Sequence, residues 1–226
     1  MPEIMPFFAV PFGFARLENA EALNQQLRAL FLAREAEGDK HANPRPLTQR
    51  NPQLFESNFD LFRSNEPCLR QLKEFCWWHL LKLVCDLNGY DQQARDRLLI
   101  YSDAWFHITR RGGFFGLHNH PNASWSGVYC VDPGRHDPGK RDSGLLSFVS
   151  PIIGSAMYMD AANANLRGAY APHVRHVRFE AGQLVLFPSW VLHDVKPYEG
   201  EGERITVAFN CWFQMQPPAS GPLTAT

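Results

Sequence analysis

Three histidines and an arginine in this 226-residue chain stand at spacings that could do chemistry. His118 and His120 lie one residue apart in GGFFGLHNHPNASWSGVYCV (112–131), between a glycine-rich turn and a run that reads as a strand. His193, in LFPSWVLHDV, opens another extended piece, and Arg204 follows eleven positions later. Residues i and i+2 of an extended segment project from the same face. His118 and His120 therefore present two imidazoles together. Two such groups and a third from a distant strand can occupy one triangular side of a metal's coordination sphere, leaving the opposite side open for substrates. Histidines at strand edges are also ordinary loop residues, and the spacing alone leaves both readings open.

The elements that must position these groups have their own patterns. In the last strand, ERITVAFNCWFQM, side chains alternate between faces. Ile205, Val207, Phe209, Cys211 and Phe213 form one face, and Arg204, Thr206, Ala208, Asn210 and Trp212 the other. The first face can pack under helices, whereas the second, with an arginine, a threonine and an asparagine but also Ala208 and Trp212, fits a polar barrel interior better than open solvent. The run 101–109 repeats the scheme, with Tyr101, Asp103, Trp105, His107 and Thr109 opposite Ala104, Phe106 and Ile108.

Upstream, residues 7–17 read as a short β segment broken by Pro11 and Gly13. Asn19 is expected to cap a helix carrying Leu23, Leu27, Leu30 and Phe31 on one face and ending at Gly38. Residues 39–58 are polar and proline-broken, the composition of a mobile surface loop, a lid or a binding loop. A second helix is expected to begin at Pro67, to repeat Leu69, Leu72, Cys76, Leu80 and Leu83, and to close at Asn88-Gly89. From residue 99 the chain changes to short strand-like runs, at 99–109, 124–131, 145–150, 174–179, 183–187 and 203–214. Strands in succession, without alternating helices, predict a mainly β, antiparallel sandwich or barrel with the N-terminal helices on one side.

Length and composition bound the partners. The chain is long enough for a single domain with a full core, 1–226, in which 1–96 is a helical part packing on a core at 97–215, followed by a flexible tail at 216–226. With 22 basic and 23 acidic residues and no polybasic cluster, nucleic acid and membrane are poor candidates as partners. The five cysteines (Cys68, Cys76, Cys85, Cys130, Cys211) lack any C-x-x-C spacing, which suits a reducing compartment. No apolar run approaches the roughly 20 residues of a membrane span and no secretory leader is evident, so a cytoplasmic location is expected. A homodimer is compatible with the chain.

The segments FFGLHNH, LFPSWVLHDV and ERITVAFN together resemble the double-stranded β-helix (jelly-roll, cupin-like) oxygenases that depend on Fe(II) and 2-oxoglutarate. HNHPNASWSGVYCV is similar, more closely, to a bacterial branch with H-x-H-P followed by S-G-V-Y. The resemblance covers roughly residues 97–215 and is strongest in the order and spacing of its motifs. It implies Fe(II), 2-oxoglutarate and O2 as cofactor and co-substrates. His118 would be the first ligand, His193 the distal ligand, and Arg204 with Thr206 the clamp on the remote carboxylate of the keto acid. That role agrees with the shared face of Arg204 and Thr206 and with the forked geometry of a guanidinium. Ser126 and Asn210 are expected beside the co-substrate, and Trp105, Phe114, Asn122 and Trp190 around the substrate. At His120 the chain departs from the family, which generally has Asp or Glu there. The metal would then be held by three neutral imidazoles; Asp103, Asp132 and Asp194 are alternative carboxylates, of which Asp132 and Asp194 rank below His120. His41, His79, His136, His173 and His176 lack a partner at ligand spacing.

Three function classes follow. The first is a 2-oxoglutarate-dependent hydroxylase acting on a small molecule, amino acid or peptide. The second is a cupin-like three-histidine dioxygenase that binds its substrate directly and makes no use of Arg204. The third is a non-catalytic jelly roll that binds a metal or ligand. The Arg204 and Thr206 pair favours the first.

Overall fold

The computed structural model describes residues 3–151, 158 and 160–217. The expected tail falls almost wholly outside the described residues. Among the described residues, ten strands form two antiparallel sheets. The larger has the order β1 (Gly13–Arg16), β8 (Gln183–Pro188), β5 (Trp125–Asp132), β10 (Arg204–Met215), β3 (Leu98–Thr109), β2 (Leu54–Glu56). The smaller has the order β4 (Phe115–His118), β9 (His193–Val195), β6 (Leu146–Phe148), β7 (Arg175–Val177). This is the mainly antiparallel architecture that the sequence pattern predicts, and the jelly roll that the resemblance implies.

The back of the larger sheet is covered by α1 (Glu21–Ala36) and α2 (Pro67–Asn88). Leu23, Leu27 and Phe31 of α1 and Leu69, Leu72, Cys76 and Leu80 of α2 meet Phe106 and Ile108 of β3 and Ile205, Val207, Phe209 and Cys211 of β10 in one core. Phe31 stacks on Phe106 at 4.2 Å. Gly127, paired with Phe209, is required to be small, because a Cβ there would sit 2.2 Å from the phenyl ring. Helix α2 begins with proline at its first turn and ends at Gly89 in the left-handed conformation (φ 66°), as its sequence signals require. A five-residue helix, α3 (Gln92–Asp96), leads into β3.

Two expectations need correction. The cap of α1 is Ala20, with no side-chain capping bond, and Asn19 instead occupies a left-handed turn (φ 53°) that asparagine tolerates. Ala20 is itself buried, and the helix starts one residue later than expected, at Glu21. Residues 39–58 do not form a free loop. Asn43 Nδ2 donates to Glu56 at 2.7 Å, Gly116 N to the Gln49 carbonyl, and Asn51 Nδ2 to the Gly112 carbonyl, while β2 pairs with β3. Side-chain amide and backbone hydrogen bonds together hold this segment as a strap across the edges of both sheets, an arrangement that carries no periodic signal.

Candidate metal and keto-acid site

Strand pairing brings the three histidines together. His118 at the end of β4 and His193 at the start of β9 are direct cross-strand partners, and their rings lie 4.2 Å apart. His120 follows in the turn, tied through its N–H to the Ser189 carbonyl, with its ring 4.9 Å from His118 and 5.2 Å from His193. The candidate ligand atoms of the three all lie within 4.8 Å of one another. Nδ1 of His118 contacts the Gly116 carbonyl at 2.7 Å and Nδ1 of His193 the Val191 carbonyl at 2.9 Å. Such contacts make Nδ1 the protonated nitrogen and leave each Nε2 lone pair for a cation. Burial pushes the imidazoles toward their neutral form, His193 to about 3 and His120 to about 4, with mutual repulsion adding to the effect; His118 is lowered by burial, partly opposed by its carbonyl contact. Neutral, converging and oriented imidazoles fit a divalent transition metal.

No carboxylate joins the cluster among the described residues. Asp132 pairs with Arg28, Asp103 lies 3.8 Å from Arg63, and Asp194 pairs with Lys196 at 2.7 Å, though its Oδ1 is buried without a partner.

The histidines open on a recess of about 480 Å³, counting its mouth, between the two sheets. Arg204 lies at its base. The residue is 3% exposed, its guanidinium stands 5.8 Å from the Phe179 ring, and it makes no hydrogen bond or ion pair to any described residue. Burial lowers its pKa, yet a guanidinium stays protonated, so the recess carries an unneutralised cation. Thr206, Asn210, Ser126 and Trp105 share the lining. The Ser126 hydroxyl donates to Asn210 Oδ1 at 2.7 Å and shares a 2.8 Å hydrogen bond with Ser189, so its single proton is already used.

Three expected pocket residues fall outside the lining. β4 carries a register shift between Phe115 and His118, an extra residue relative to β9, which reverses the parity expected from an even strand. Phe115 therefore faces the recess, with its ring 4.9 Å from His118, and Phe114 does not. Asn122 is exposed in the turn closed by the Ala123 N–H on the His120 carbonyl. Trp190 is 52% exposed, because the tight turn closed by Val191 N on Pro188 O buries Val191 in its place. Sequence reasoning also left His107 without a role. It lines the recess beside Trp105, whose indole N–H donates to His107 Nε2 at 3.0 Å. Its place on the polar face was legible, but the bond that orients it was not.

Comparison with known proteins agrees with this geometry. Residues 103–210 match the family described as "Putative 2OG-Fe(II) oxygenase". These residues belong to the 2OG-Fe(II) oxygenases. No curated protein matches the sequence. In fold, the chain is similar to a prolyl-4-hydroxylase from Pseudomonas putida (18% identity, 92% of this chain and 94% of that one, TM-score 0.58). It is similar also to HygX from Streptomyces hygroscopicus, solved with nickel and 2-oxoglutarate (13% identity, 90% and 83%, TM-score 0.57). A third is a prolyl hydroxylase from Trichoplax adhaerens in complex with a hypoxia inducible factor peptide (14% identity, 89% and 83%, TM-score 0.54). Residues 103–210 thus carry the match to the Fe(II)- and 2-oxoglutarate-dependent oxygenases, and the solved structures share the fold of the chain.

Proposed function

We propose that this oxygenase is a hydroxylase of a small-molecule, amino-acid or peptide substrate, with His118, His120 and His193 holding the metal and Arg204 and Thr206 holding the keto acid. Arg204 carries this reading. A buried guanidinium without an acidic partner is costly, and a carboxylate entering the recess removes that cost through a bidentate contact. Fe(II) and 2-oxoglutarate, when bound, supply oxygen activation coupled to decarboxylation. The protein's own residues do the rest: the neutral imidazoles ligate, Arg204 and Thr206 orient the keto acid along the recess, and Phe115 with Phe187 lines the walls with apolar surface that limits water. Substrates of both kinds occur among the fold's relatives, since HygX has been solved with hygromycin B and the Trichoplax hydroxylase with a peptide.

The chain's two halves are read as one domain, because α1 and α2 share a core with β3 and β10. A cytoplasmic setting is supported by five cysteines that are all free and buried. Among the described residues, no helix is long and apolar enough to cross a membrane.

The test is anaerobic calorimetric titration of the Fe(II)-loaded protein with 2-oxoglutarate. Wild type is expected to bind, and Arg204→Ala to retain metal while losing roughly two to four decades of affinity. A direct-binding three-histidine dioxygenase predicts no response to the keto acid in either protein, and that result would replace the proposed reading.

A further inference from the structure

The polar end of the recess holds one more oriented donor than the arginine and threonine account for. His107 on β3 is the direct cross-strand partner of Thr206 on β10. An indole N–H can only donate, so the 3.0 Å bond from Trp105 Nε1 requires His107 Nε2 to be an unprotonated acceptor. The ring is therefore neutral and carries its proton on Nδ1. Burial, followed by the nearby Arg204 cation, favours the same neutral state.

That Nδ1–H has no acceptor among the described residues. Glu56 is His107's pairing partner on β2, but it bonds Asn43 Nδ2 at 2.7 Å and Arg50 at 3.5 Å and makes no hydrogen bond with His107. Thr206 is 2% exposed, and its hydroxyl, like the Arg204 guanidinium, makes no hydrogen bond to a described residue. One face of the β3–β10 pair thus gathers a guanidinium, a hydroxyl and an imidazole N–H around one end of the recess, with no acceptor supplied by the protein. A bound carboxylate has two oxygens and about four lone-pair sites, enough for all three.

We infer that His107 is a third donor to the remote carboxylate of 2-oxoglutarate, beside Arg204 and Thr206, with Trp105 fixing the imidazole tautomer that makes this possible. The inference rests on the co-substrate reading proposed above. It gives Trp105 a positioning role: the indole, whose ring lies 5.9 Å from His120 and 4.7 Å from Phe59, joins the metal side of the recess to its carboxylate end.

Amide replacements separate the two nitrogens, because the asparagine amide nitrogen reaches the position of Nδ1 and that of glutamine the position of Nε2. Binding of 2-oxoglutarate is measured by anaerobic calorimetry on Fe(II)-loaded protein, alongside 2-oxovalerate, which has a methyl group in place of the remote carboxylate. His107→Asn is expected to stay within about threefold of wild type. His107→Gln and His107→Leu should weaken 2-oxoglutarate about 10- to 100-fold, the loss of a hydrogen bond to a charged acceptor, and leave 2-oxovalerate binding and metal content unchanged. Histidine 15N spectra of the Zn(II)-loaded wild type supply a readout independent of substitution. They should show an Nδ1–H tautomer for His107, with its proton shifting downfield when 2-oxoglutarate is added. Equal losses for both keto acids, an unperturbed His107→Gln, or an Nε2–H tautomer would each overturn the role of His107 while leaving the arginine clamp in place if Arg204→Ala still abolishes binding. If neither wild type nor any variant responds to 2-oxoglutarate, the co-substrate reading fails, and the role of His107 fails with it.

Discussion

The two faces of the β3–β10 pair are built from the same twelve-residue strands and have opposite accounts of their polar groups. On the helix side, Phe106, Ile108, Ile205, Val207, Phe209 and Cys211 are at most 0% exposed and need nothing further. On the recess side, Arg204 and Thr206 are buried, His107 is half-buried, and all three have donors to spare. A folded chain seldom leaves buried donors without acceptors, and under the proposed reading the acceptors missing from this cluster are those of the keto acid. One face shows what folding satisfies, the other what binding must supply.

The largest expected effect tests the satisfied face. Phe209 is fully buried, 5.2 Å from the Trp77 ring and 5.8 Å from Phe62, with Gly127 beneath it. Phe209→Ala should cost about 3–5 kcal/mol in urea unfolding, while the fraction that remains folded binds 2-oxoglutarate as wild type does. A cost below about 1 kcal/mol would mean that this face is not the packed one.

Next comes the face with donors to spare. Arg204→Met replaces an unpaired buried cation with an apolar side chain of similar length, so the ligand-free protein should become more stable, by about 1–4 kcal/mol, even as 2-oxoglutarate binding is lost. Saturating 2-oxoglutarate should then raise the unfolding midpoint of wild type and leave that of the variant unmoved. Destabilisation of the ligand-free variant would show that Arg204 has a protein partner and would erase the contrast between the faces.

A third expectation concerns acid. Burial holds His107 near a pKa of about 3, below the roughly 6.5 of an unfolded histidine. Below pH 6.5 the unfolded chain takes up this proton and the folded one does not. Stability is therefore lost as pH falls from 6.5 toward 3, at about 1.4 kcal/mol per pH unit for this one group. In metal-free protein, His107→Asn should flatten the dependence of unfolding free energy on pH by one proton relative to wild type. Parallel curves would mean that the imidazole is protonated in the folded state.

How much of this was legible in the sequence follows from the same physics. Alternation along 203–214 separated the two faces of β10, since a strand's period is fixed by its backbone, and the α2 boundaries could be read from Pro67 and Gly89 for a similar reason. The position of Phe115 could not be read, because a bulge shifts parity without a residue signature in FFGLHNH. Nor could the strap over 39–58, where the Gln49 carbonyl and the Asn51 side-chain amide do the holding, or the orientation of His107, which depends on a single indole N–H from two residues away. Local periodicity is written in residue types, whereas register shifts and backbone pairing are settled only when distant segments meet.

The smallest expected effect falls at the outer end of the recess face, where β10 leaves the enclosed part of the sheet. Trp212 shares its face with Arg204 and Asn210 but is 40% exposed, and it stacks on its cross-strand partner Tyr101 with ring centroids 6.3 Å apart and planes 12° from parallel. An exposed aromatic pair of this kind contributes about 0.5–1.5 kcal/mol beyond its burial. Trp212→Ala should therefore lower stability by roughly 1 kcal/mol, a fraction of the Phe209→Ala cost three residues away, and leave metal content and 2-oxoglutarate affinity unchanged, because the residue lies eight positions beyond Arg204. A much larger loss of stability would place Trp212 in the packed core. A loss of keto-acid affinity would extend the binding face out to the sheet's rim.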